Sequence, residues 1–331
     1  MRVAVFSSKP YDRRYFEEYN QVYNYDLSFF DTNLNTQTSN LTQGFDVVCV
    51  FVNDHLNEEV IEALADNGVK LIALRCAGFN NVDLKAAEKY QIKVTRVPAY
   101  SPQAVAEHAL ALILTLNRKT HKAYNRVKEG NFSLDKLIGF NVYNKTVGVI
   151  GTGKIGQAFC EIMLGLGCKV LAYDIAPQSS LKDRGVSYVT LEELYKNSDI
   201  ISLHCPLLEA TQHLINNESI NQMKTQVMII NTSRGGLIKT EDVIKNLKDK
   251  KVGYLGIDVY EQEENLFFED KSEQIIEDDT LLRLISFPNV LITSHQAFLT
   301  SEALTEISKT VFQNIHDFEN QTSLMNEVKA Q

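Results

Sequence analysis

Short apolar, β-branched runs alternate with helical patterns along nearly the whole chain, and this alternation constrains the fold more than any other feature. Parallel strands need a crossover between them, usually a helix, and strands that are covered on both faces are apolar throughout. The pattern therefore predicts parallel α/β architecture. Because single hydrophobic cores stop growing near about 250–300 residues, a chain of 331 residues favours two domains.

The predicted elements form two series. In the first series, the predicted strands are Val3–Phe6, Asp46–Val52, Lys70–Leu74 and Lys93–Val97, and the helices are Asn57–Asn67 and Asp83–Lys89. In the second series, six predicted strands form one parallel sheet: Thr146–Ile150, Lys169–Asp174, Ile200–Leu203, Val227–Asn231, Tyr254–Asp258 and Val290–Thr293. The helices between these strands are predicted at Ile155–Leu166, Leu191–Lys196, Glu218–Met223 and Glu241–Lys248. The second series thus predicts a doubly wound sheet, and the first a smaller α/β domain.

The boundary between the two series lies near residue 100, where prolines interrupt the chain. Pro98 and Pro102 mark the end of a strand, and Ser101 followed by Pro102 is typical of the start of a helix. A last helical pattern, Ser301–Asn320, follows the second sheet, and we expect it to pack on the first domain. The predicted domains are therefore residues 1–100 plus 298–331, and residues 101–297.

Composition and charge exclude several classes of protein. Lys plus Arg number 33 and Asp plus Glu number 42, and the net charge of −9 disfavours binding to nucleic acid or to an anionic membrane. No apolar run approaches the roughly 20 residues that span a bilayer, and the N-terminus lacks the apolar core of a signal peptide. The five cysteines are scattered without a CxxC pair, so we expect a cytoplasmic protein with neither a disulfide framework nor a metal site.

The stretch TVGVIGTGKIG carries a GxGxxG motif directly after a predicted strand and at the start of a predicted helix. The first glycine permits a tight turn, the second lets the backbone approach a pyrophosphate, and the third lets helix and strand pack closely. The helix N-terminus offers amide donors, and Asp174 at the end of the next strand suits the adenosine ribose. A carboxylate repels a 2′-phosphate, so the motif predicts NAD rather than NADP. The predicted ligands are Gly151, Gly153, Lys154, Ile155, Gly156 and Asp174.

Three charged residues follow three other strands of the second series: Arg234 in IINTSRGG, Glu263 in GIDVYEQE and His295 in LITSHQAFLT. Taken singly, each has a structural explanation, such as an ion pair for Arg234, a solvated carboxylate for Glu263 or a hydrogen-bonded core position for His295. Ligands of doubly wound sheets bind at the carboxyl ends of the strands. We therefore expect the three side chains to lie at the edge of the sheet that binds the cofactor.

These residue types suit the interconversion of a 2-hydroxy acid and a 2-keto acid. Histidine titrates near neutral pH, so His295 could take the hydroxyl proton during oxidation and return it during reduction. A neighbouring carboxylate, Glu263, would orient the imidazole and stabilise its protonated form. Arg234 could hold the substrate carboxylate through two parallel hydrogen bonds, which a lysine cannot match.

Motifs along essentially the whole chain resemble those of the NAD-dependent D-isomer-specific 2-hydroxyacid dehydrogenases. The matching stretches are LRCAGFNNVD, VPAYSPQAVAEHA, GVIGTGKIG, HCPL, NTSRGG, GIDVYEQE and SHQAFLT. The stretches CAGFNNVDL, NLFFEDKS and HQAFLTSEAL are most similar to members that form D-lactate in bacterial fermentation. The resemblance implies two doubly wound parallel-sheet domains, Rossmann-like or flavodoxin-like, with the active site in the cleft between them and substrate binding by the first domain. It also implies a homodimer or homotetramer that associates through the cofactor domain.

The resemblance further assigns roles to individual positions. Arg234 would bind substrate, Glu263 would be the carboxylate partner and His295 the proton donor and acceptor. The residues implied to line the nicotinamide side are Cys205, Pro206, Thr211, Thr232, Ser233, Arg234 and Asp258, although other members often carry Asn at the position of Thr211. The residues implied to bind substrate are Gly78, Phe79, Tyr100, Arg234, His295 and Phe298.

The substrate and the class of protein leave alternatives. The bulky Phe298 suits a small methyl-bearing substrate, so the first hypothesis is pyruvate plus NADH giving D-lactate plus NAD. The second is a dehydrogenase for a bulkier 2-keto acid such as phenylpyruvate or 2-ketoisocaproate. The third is a binding protein that senses dinucleotide levels without catalysis, and the complete set of Arg234, Glu263 and His295 argues against it.

Overall fold

The structure is a computed structural model that describes residues 1–263 and 266–330. The chain forms two compact units: unit 1 comprises Met1–Ser101 and Leu299–Gln331, and unit 2 comprises Pro102–Phe298. Both units contain a parallel sheet with helices, which confirms the predicted α/β class. Residue 331, which ends the predicted first domain, and Asn265 of the NLFFEDKS stretch lie outside the described residues.

The two divisions between the units each differ from the prediction by one residue. The sequence pattern assigns Ser101 to the second domain and Phe298 to the first, whereas the structure places Ser101 in unit 1 and Phe298 in unit 2. Ser101 precedes the helix that begins at Pro102. Phe298 is buried and follows Ala297, whose amide is bound to Asp258 of unit 2.

Unit 1 is built on a parallel sheet that has five strands among the described residues, in the order β2-β1-β3-β4-β5. The strands are β1 (Arg2–Val5), β2 (Asp26–Phe29), β3 (Val47–Val50), β4 (Leu71–Leu74) and β5 (Lys93–Thr95). The helices are α1 (Pro10–Tyr23), α2 (Glu58–Asp66) and α3 (Leu84–Lys89). The central strands β3 and β4 are buried at every residue, as strands covered on both faces must be.

Two elements of unit 1, α1 and β2, are missing from the sequence prediction. The helix α1 buries only Asp12 and Phe16, so its sequence lacks the apolar periodicity that marks an amphipathic helix. The strand β2 lies at the edge of the sheet, pairs with β1 alone and is partly exposed along its length. An edge strand needs less apolar sequence than a central one, which explains why the pattern did not reveal it.

Unit 2 has a parallel sheet in the order β12-β11-β10-β9-β6-β7-β8. Its first helices are α4 (Pro102–Arg118) and α5 (Thr120–Lys128). The strands are β6 (Thr146–Ile150), β7 (Lys169–Tyr173), β8 (Ser187–Tyr188), β9 (Ile200–Leu203), β10 (Val227–Asn231), β11 (Val252–Ile257) and β12 (Val290–Ile292). The later helices are α6 (Lys154–Gly165), α7 (Ser179–Asp183), α8 (Leu191–Asn197), α9 (Asn217–Gln222), α10 (Thr240–Lys248) and α11 (Asp279–Ile285).

The sheet of unit 2 has seven strands among the described residues, one more than the sequence predicts. The extra strand, β8, has only two residues and lies at the edge beside β7. Strands this short carry no readable alternation of apolar and polar residues. The other six strands lie where the sequence placed them, with bounds that differ by at most two residues at either end.

The order of the strands changes direction beside β6, which has β7 on one side and β9 on the other. Doubly wound sheets bind ligands outside the carboxyl ends of the strands at such a point. The GTGKIG turn leaves β6 at this end, and His204 and Cys205 leave β9 at the same end. The fold thus directs a ligand to the glycine turn.

The last helix, α12 (Ser301–Glu319), packs against α1 and β4 of unit 1, as the sequence predicts. Phe312 of α12 contacts Phe16 of α1 edge to face, with ring centroids 5.4 Å apart. Such aromatic pairs add about 0.5–1.5 kcal/mol beyond the area that they bury. The chain therefore returns to unit 1 and completes its core after leaving unit 2.

Candidate active site

The glycine turn between β6 and α6 has the geometry that its motif predicts. Gly151 has a φ of 93°, and a Cβ atom on it would lie 2.6 Å from the backbone nitrogen of Cys205. A Cβ atom on Gly156 would lie 2.0 Å from the carbonyl oxygen of Gly151, so neither position accepts a side chain. A Cβ atom on Gly153 would meet open space instead, and Gly153 and Lys154 are exposed where α6 begins. The middle of the turn is therefore free to approach a ligand.

Asp174 lies one residue beyond β7, and its carboxylate is tied to the glycine turn. One carboxylate oxygen accepts hydrogen bonds from the amide and the hydroxyl of Thr152, and the other accepts one from the amide of Ala176 at 2.8 Å. The hydroxyl of Tyr188 in turn donates to the Thr152 hydroxyl at 2.9 Å. Partial burial acts to raise the pKa of Asp174, but the donors of Ala176 and Thr152 outweigh it and the pKa is lowered. The carboxylate is therefore charged at neutral pH.

The residues of this region fit a bound NAD. The turn is open at Gly153, the N-terminus of α6 adjoins it, and a charged carboxylate follows the next strand. Thr232, just beyond β10, adds a buried hydroxyl that has no hydrogen-bond partner among the described residues. Because buried polar groups are nearly always paired, an unpaired hydroxyl at the ligand-binding edge points to a polar ligand.

The loop after β10 carries Arg234 and is shaped by Asn231, the last residue of the strand. The Asn231 side chain accepts a hydrogen bond from the amide of Ser233 at 3.0 Å and donates one to the carbonyl of Arg234 at 2.8 Å. The Ser233 hydroxyl donates to the carbonyl of Cys205 at 2.6 Å, which ties the loop to the end of β9. The partly buried Arg234 guanidinium donates to the Ser233 carbonyl at 2.7 Å. The strand end thus fixes the backbone from which this cation projects.

Glu263 and His295 form a hydrogen-bonded pair. Atom Nδ1 of His295 lies 2.8 Å from Oε1 of Glu263, and the Tyr260 amide donates to Oε2 at 2.8 Å. The two side chains are about one-fifth exposed, at 18% for His295 and 21% for Glu263. Because Nδ1 faces a carboxylate, this nitrogen carries the proton of the neutral ring, and the role predicted for Nε2 in proton exchange stays a prediction.

The carboxylate of Asp258 is fully buried and holds the loop that carries His295. It accepts hydrogen bonds from the amides of Gln296 at 3.0 Å and Ala297 at 2.8 Å, and from the hydroxyl of Thr293. The backbone carbonyl of Asp258 accepts from the amide of His295 at 2.7 Å. Desolvation acts to raise the pKa of Asp258, but these donors and His108 lower it overall. The structure thus gives Asp258 a positioning role, and its contact with the nicotinamide stays a prediction.

The other residues predicted to line the nicotinamide side follow β9. Cys205 is buried, and burial raises the pKa of its thiol to about 11, so it stays protonated. Pro206 is exposed in the next loop. The Thr211 hydroxyl donates to the Pro206 carbonyl at 2.7 Å and accepts from the Leu208 amide at 2.8 Å. Thr211 therefore closes a turn of its own loop, and its predicted cofactor contact is not tested by the structure.

The predicted substrate residues are divided between the units. Gly78 and Phe79 follow β4 of unit 1, and Tyr100 lies near the end of Met1–Ser101, the first segment of that unit. The Arg96 guanidinium lies 5.1 Å from the Phe79 ring centroid and donates to the carbonyl of Ala77 at 3.0 Å, which supports this loop. Phe298 belongs to unit 2 and is buried. Among the predicted catalytic residues, the structure joins Glu263 to His295 by a side-chain hydrogen bond.

Sequence reasoning missed the side chains that position the site. Thr152 binds Asp174, Asn231 shapes the Arg234 loop, and Thr293 binds Asp258. Two of them had a readable signal, because a threonine inside a glycine turn and an asparagine at the end of a buried strand are polar residues at the ligand-binding edge. Thr293 had none, since its role depends on the pairing of β11 with β12.

The described residues form neither a metal site nor a membrane-spanning helix. Within residues 1–263 and 266–330, no three His, Cys, Asp or Glu side chains are placed so that they could hold a metal ion. In the same ranges, no helix has the length and apolar character needed to cross a membrane.

A glycine turn at the point where the strand order of a doubly wound sheet reverses, with a charged acid after the next strand, is typical of a domain that binds a dinucleotide. Residues 110–297 match the family model described as D-isomer specific 2-hydroxyacid dehydrogenase, NAD binding domain. The chain belongs to the D-isomer specific 2-hydroxyacid dehydrogenase family and carries its NAD-binding domain.

Relatives and solved structures agree with this assignment. The chain is 52% identical to the D-lactate dehydrogenase of Escherichia coli over 328 residues, which are 99% of this chain and 100% of that protein. The pyruvate reductase of Chlamydomonas reinhardtii superposes with a TM-score of 0.94 at 46% identity, covering 98% of each chain. The D-lactate dehydrogenase of Aquifex aeolicus, solved with NAD and lactic acid, has a TM-score of 0.87 at 35% identity and covers 99% of each chain.

Proposed function

We propose that the protein is an NAD-dependent D-lactate dehydrogenase that interconverts pyruvate and D-lactate. One observation carries the proposal: the hydrogen-bonded pair of His295 and Glu263 stands at the strand ends of a chain 52% identical to the Escherichia coli D-lactate dehydrogenase. In the direction of reduction, pyruvate, NADH and a proton give D-lactate and NAD. The name of the relative supports the substrate, and the geometry supports the chemistry.

The cofactor would be held by the glycine turn and by the strand ends beside it. When bound, NADH supplies the hydride that C2 of the keto acid receives. Asp174 would accept hydrogen bonds from the adenosine ribose, and the amides at the start of α6 would donate to the pyrophosphate. The residues proposed to contact NAD are Gly151, Gly153, Lys154, Ile155, Gly156, Asp174, Cys205, Pro206, Thr211, Thr232, Ser233, Arg234 and Asp258.

His295 is the proposed acid and base. As the hydride reaches C2, negative charge develops on the keto oxygen, and protonated His295 donates its Nε2 proton there. Glu263 stabilises the imidazolium through the 2.8 Å contact at Nδ1 and fixes the plane of the ring. In the oxidative direction, neutral His295 takes the hydroxyl proton as the hydride leaves.

Arg234 is the proposed anchor of the substrate carboxylate, since a guanidinium offers two parallel donors to a carboxylate. We propose that Gly78, Phe79 and Tyr100 of unit 1 complete the binding of the three-carbon acid. Phe298 would limit the space beside its methyl group. These assignments together explain why a small 2-keto acid would be preferred.

We propose that the protein self-associates as a homodimer or homotetramer through unit 2. Six large apolar side chains of the segment 124–143 are more than half exposed: Tyr124, Val127, Phe132, Leu134, Ile138 and Tyr143. Concentrated exposed apolar surface of this kind marks interaction sites. Light scattering is expected to give the mass of two or four chains, and a variant that carries Phe132→Ser and Leu134→Ser is expected to give a smaller assembly.

We also propose a cytoplasmic location, which all five cysteines support. All five are buried, and none of them forms a disulfide within residues 1–263 and 266–330, as suits a reducing compartment. Fractionation of the source cells tests this, and recovery of the protein with the membrane or outside the cell would contradict it.

The proposed activity is tested by the loss of NADH absorbance with a series of 2-keto acids. We expect the highest kcat/KM with pyruvate, and lower values with 2-ketobutyrate, 2-ketoisocaproate and phenylpyruvate, because each surplus methylene in a closed pocket costs about 1–3 kcal/mol. A preference for 2-ketoisocaproate or phenylpyruvate would replace the proposed substrate. Binding of NADH without turnover of any acid would indicate a dinucleotide sensor instead.

A further inference from the structure

The buried carboxylate of Asp258 is bound from a second side, by a histidine of helix α4. Atom Nε2 of His108 lies 3.0 Å from Oγ1 of Thr293 and 3.3 Å from Oδ1 of Asp258. The Thr293 hydroxyl itself donates to the same carboxylate oxygen. His108 therefore donates its Nε2 proton to a hydroxyl and a carboxylate that both belong to the support of the His295 loop.

The packing of α4 on β11 explains why His108 reaches this place. His108, Leu112 and Leu116 are spaced by four residues and share one face of α4. Gly256 and Asp258 are spaced by two, so Gly256 at the end of β11 and Asp258 face the same side of the sheet. A Cβ atom on Gly256 would lie 3.0 Å from Cδ1 of Leu116 and 3.3 Å from Cβ of Leu112. The glycine thus lets α4 lie close to β11, which brings His108 beside Asp258.

The loop that this network supports has an unusual backbone. His295 has a φ of 50°, in the left-handed region that non-glycine residues rarely adopt. Such a conformation costs on the order of 1–3 kcal/mol and persists only where surrounding contacts impose it. Here the contacts are the amides of His295, Gln296 and Ala297, all bound by Asp258. Rotation of the Asp258 carboxylate would therefore release the amides of the two residues that follow His295, and with them part of what holds its backbone.

We propose that His108 is a positioning residue for the dehydrogenase reaction: through Thr293 and Asp258 it holds the His295 loop in its strained conformation. The kinetic test of this proposal rests on the function proposed above. His108 would not touch the reacting atoms. It would instead fix the orientation of the carboxylate that the amides of Gln296 and Ala297 share, and thereby the direction of the His295 imidazole that precedes them.

The test compares His108→Leu with His108→Gln. Leucine removes the donor, whereas the amide nitrogen of glutamine can still donate to Thr293 and Asp258. We expect His108→Leu to lower kcat about 10–100-fold, since a misplacement of about 1 Å costs up to roughly 100-fold. We expect His108→Gln to recover most of that loss. The Kd of NADH, measured by its fluorescence, is expected to change much less than kcat in both variants, because Asp258 is the one proposed NAD contact in this network and the glycine turn and Asp174 lie on other strands.

Controls separate this role from a general loss of stability. His121→Leu changes a second partly buried histidine of unit 2, on α5, and is expected to leave kcat within about twofold of wild type. Thr293→Val removes the hydroxyl between His108 and Asp258. The double variant, His108→Leu with Thr293→Val, should have a kcat only slightly below that of the less active single variant, because both substitutions break the same hydrogen-bond network. The proposal would be overturned if the fold loss of kcat in the double variant equalled the product of the two single losses.

A readout that needs no substrate keeps this proposal distinct from the proposed function. Hydrogen exchange of a peptide that spans residues 293–297 is expected to be at least tenfold faster in His108→Leu than in wild type, with residues 146–156 unchanged. A wild-type protein that turns over no 2-keto acid would refute the proposed function, while this exchange would still decide the role of His108. Unchanged exchange, or a kcat within twofold of wild type in His108→Leu, would overturn the proposal.

Discussion

The Nδ1 atom of His295 lies 2.8 Å from Oε1 of Glu263, and the second oxygen of that carboxylate is held by the amide of Tyr260. The backbone therefore orients Glu263 independently of its hydrogen bond with His295. An imidazole that donates from Nδ1 to a fixed carboxylate has a defined plane and a defined tautomer. This relationship suits the role of acid and base that we propose for His295.

The role of His295 is tested by His295→Ala. Loss of the proton donor and acceptor is expected to lower kcat for pyruvate by roughly 100-fold to 10,000-fold, while the Kd of NADH changes little. Stopped-flow measurement of NADH oxidation checks the chemical step directly. Glu263→Gln is the matched variant: it keeps the size of the side chain but removes its charge, and we expect a smaller loss. Turnover by His295→Ala close to that of wild type would exclude the proposed role.

The role of Arg234 is tested by Arg234→Lys, which keeps the charge but removes the paired donors. We expect kcat/KM for pyruvate to fall about 10–100-fold, which corresponds to the roughly 1.5–3 kcal/mol of a hydrogen bond to a charged group. Steady-state kinetics at saturating NADH measure this change. Arg184→Lys, an exposed arginine that is paired with Glu161, serves as the control and should behave as wild type. An unchanged response of Arg234→Lys to pyruvate would remove Arg234 from the substrate site.

The cofactor preference is tested by Asp174→Ala. The charged Asp174 should repel the 2′-phosphate of NADPH, so its removal is expected to raise the ratio of NADPH to NADH affinity at least tenfold. Fluorescence titration with each dinucleotide measures this ratio without turnover. Asp183→Ala, on the exposed surface of α7, controls for the loss of one negative charge. The assignment of the ribose site fails if the two variants show the same ratio.

The burial of Asp258 predicts a pH dependence of stability. Its pKa in the folded protein lies below the ordinary value of 3.8, so its stabilising contribution is complete above that value and is lost as pH falls through the folded-state pKa. Asp258→Asn lacks this titration. We therefore expect the free energy of unfolding to fall less steeply with decreasing pH below about pH 4 in the variant than in wild type. Urea unfolding at a series of pH values tests this, and parallel curves would contradict it.

Much of the fold could be predicted because the decisive signals are local. The strands β6, β9 and β10 begin and end at the predicted residues, since each is a short apolar run with polar residues at both ends. The elements that were missed each bury at most two side chains: α1, β2, α5, α7, the two-residue β8 and α11. Where packing against a neighbouring element stabilises a segment more than its own apolar pattern does, sequence periodicity is weak evidence for a helix or strand.

The chemistry-bearing residues of the site could also be predicted, but their support could not. The positions of Arg234 and His295 after strands follow from sequence order. The hydrogen bonds from Thr152 to Asp174 and from His108 to Thr293 join residues 22 and 185 positions apart. Such contacts depend on which strands are neighbours and on how closely α4 packs, and neither is encoded in a local motif.

The central claim is that this site reduces pyruvate to the D isomer of lactate with NADH. The most direct measurement is chiral chromatography of the lactate that the purified protein forms from pyruvate and NADH. We expect D-lactate, formed in an amount equal to the NADH consumed, and formed roughly 100-fold to 10,000-fold more slowly by His295→Ala. Formation of L-lactate, or consumption of pyruvate by the His295→Ala variant at the wild-type rate, would contradict it.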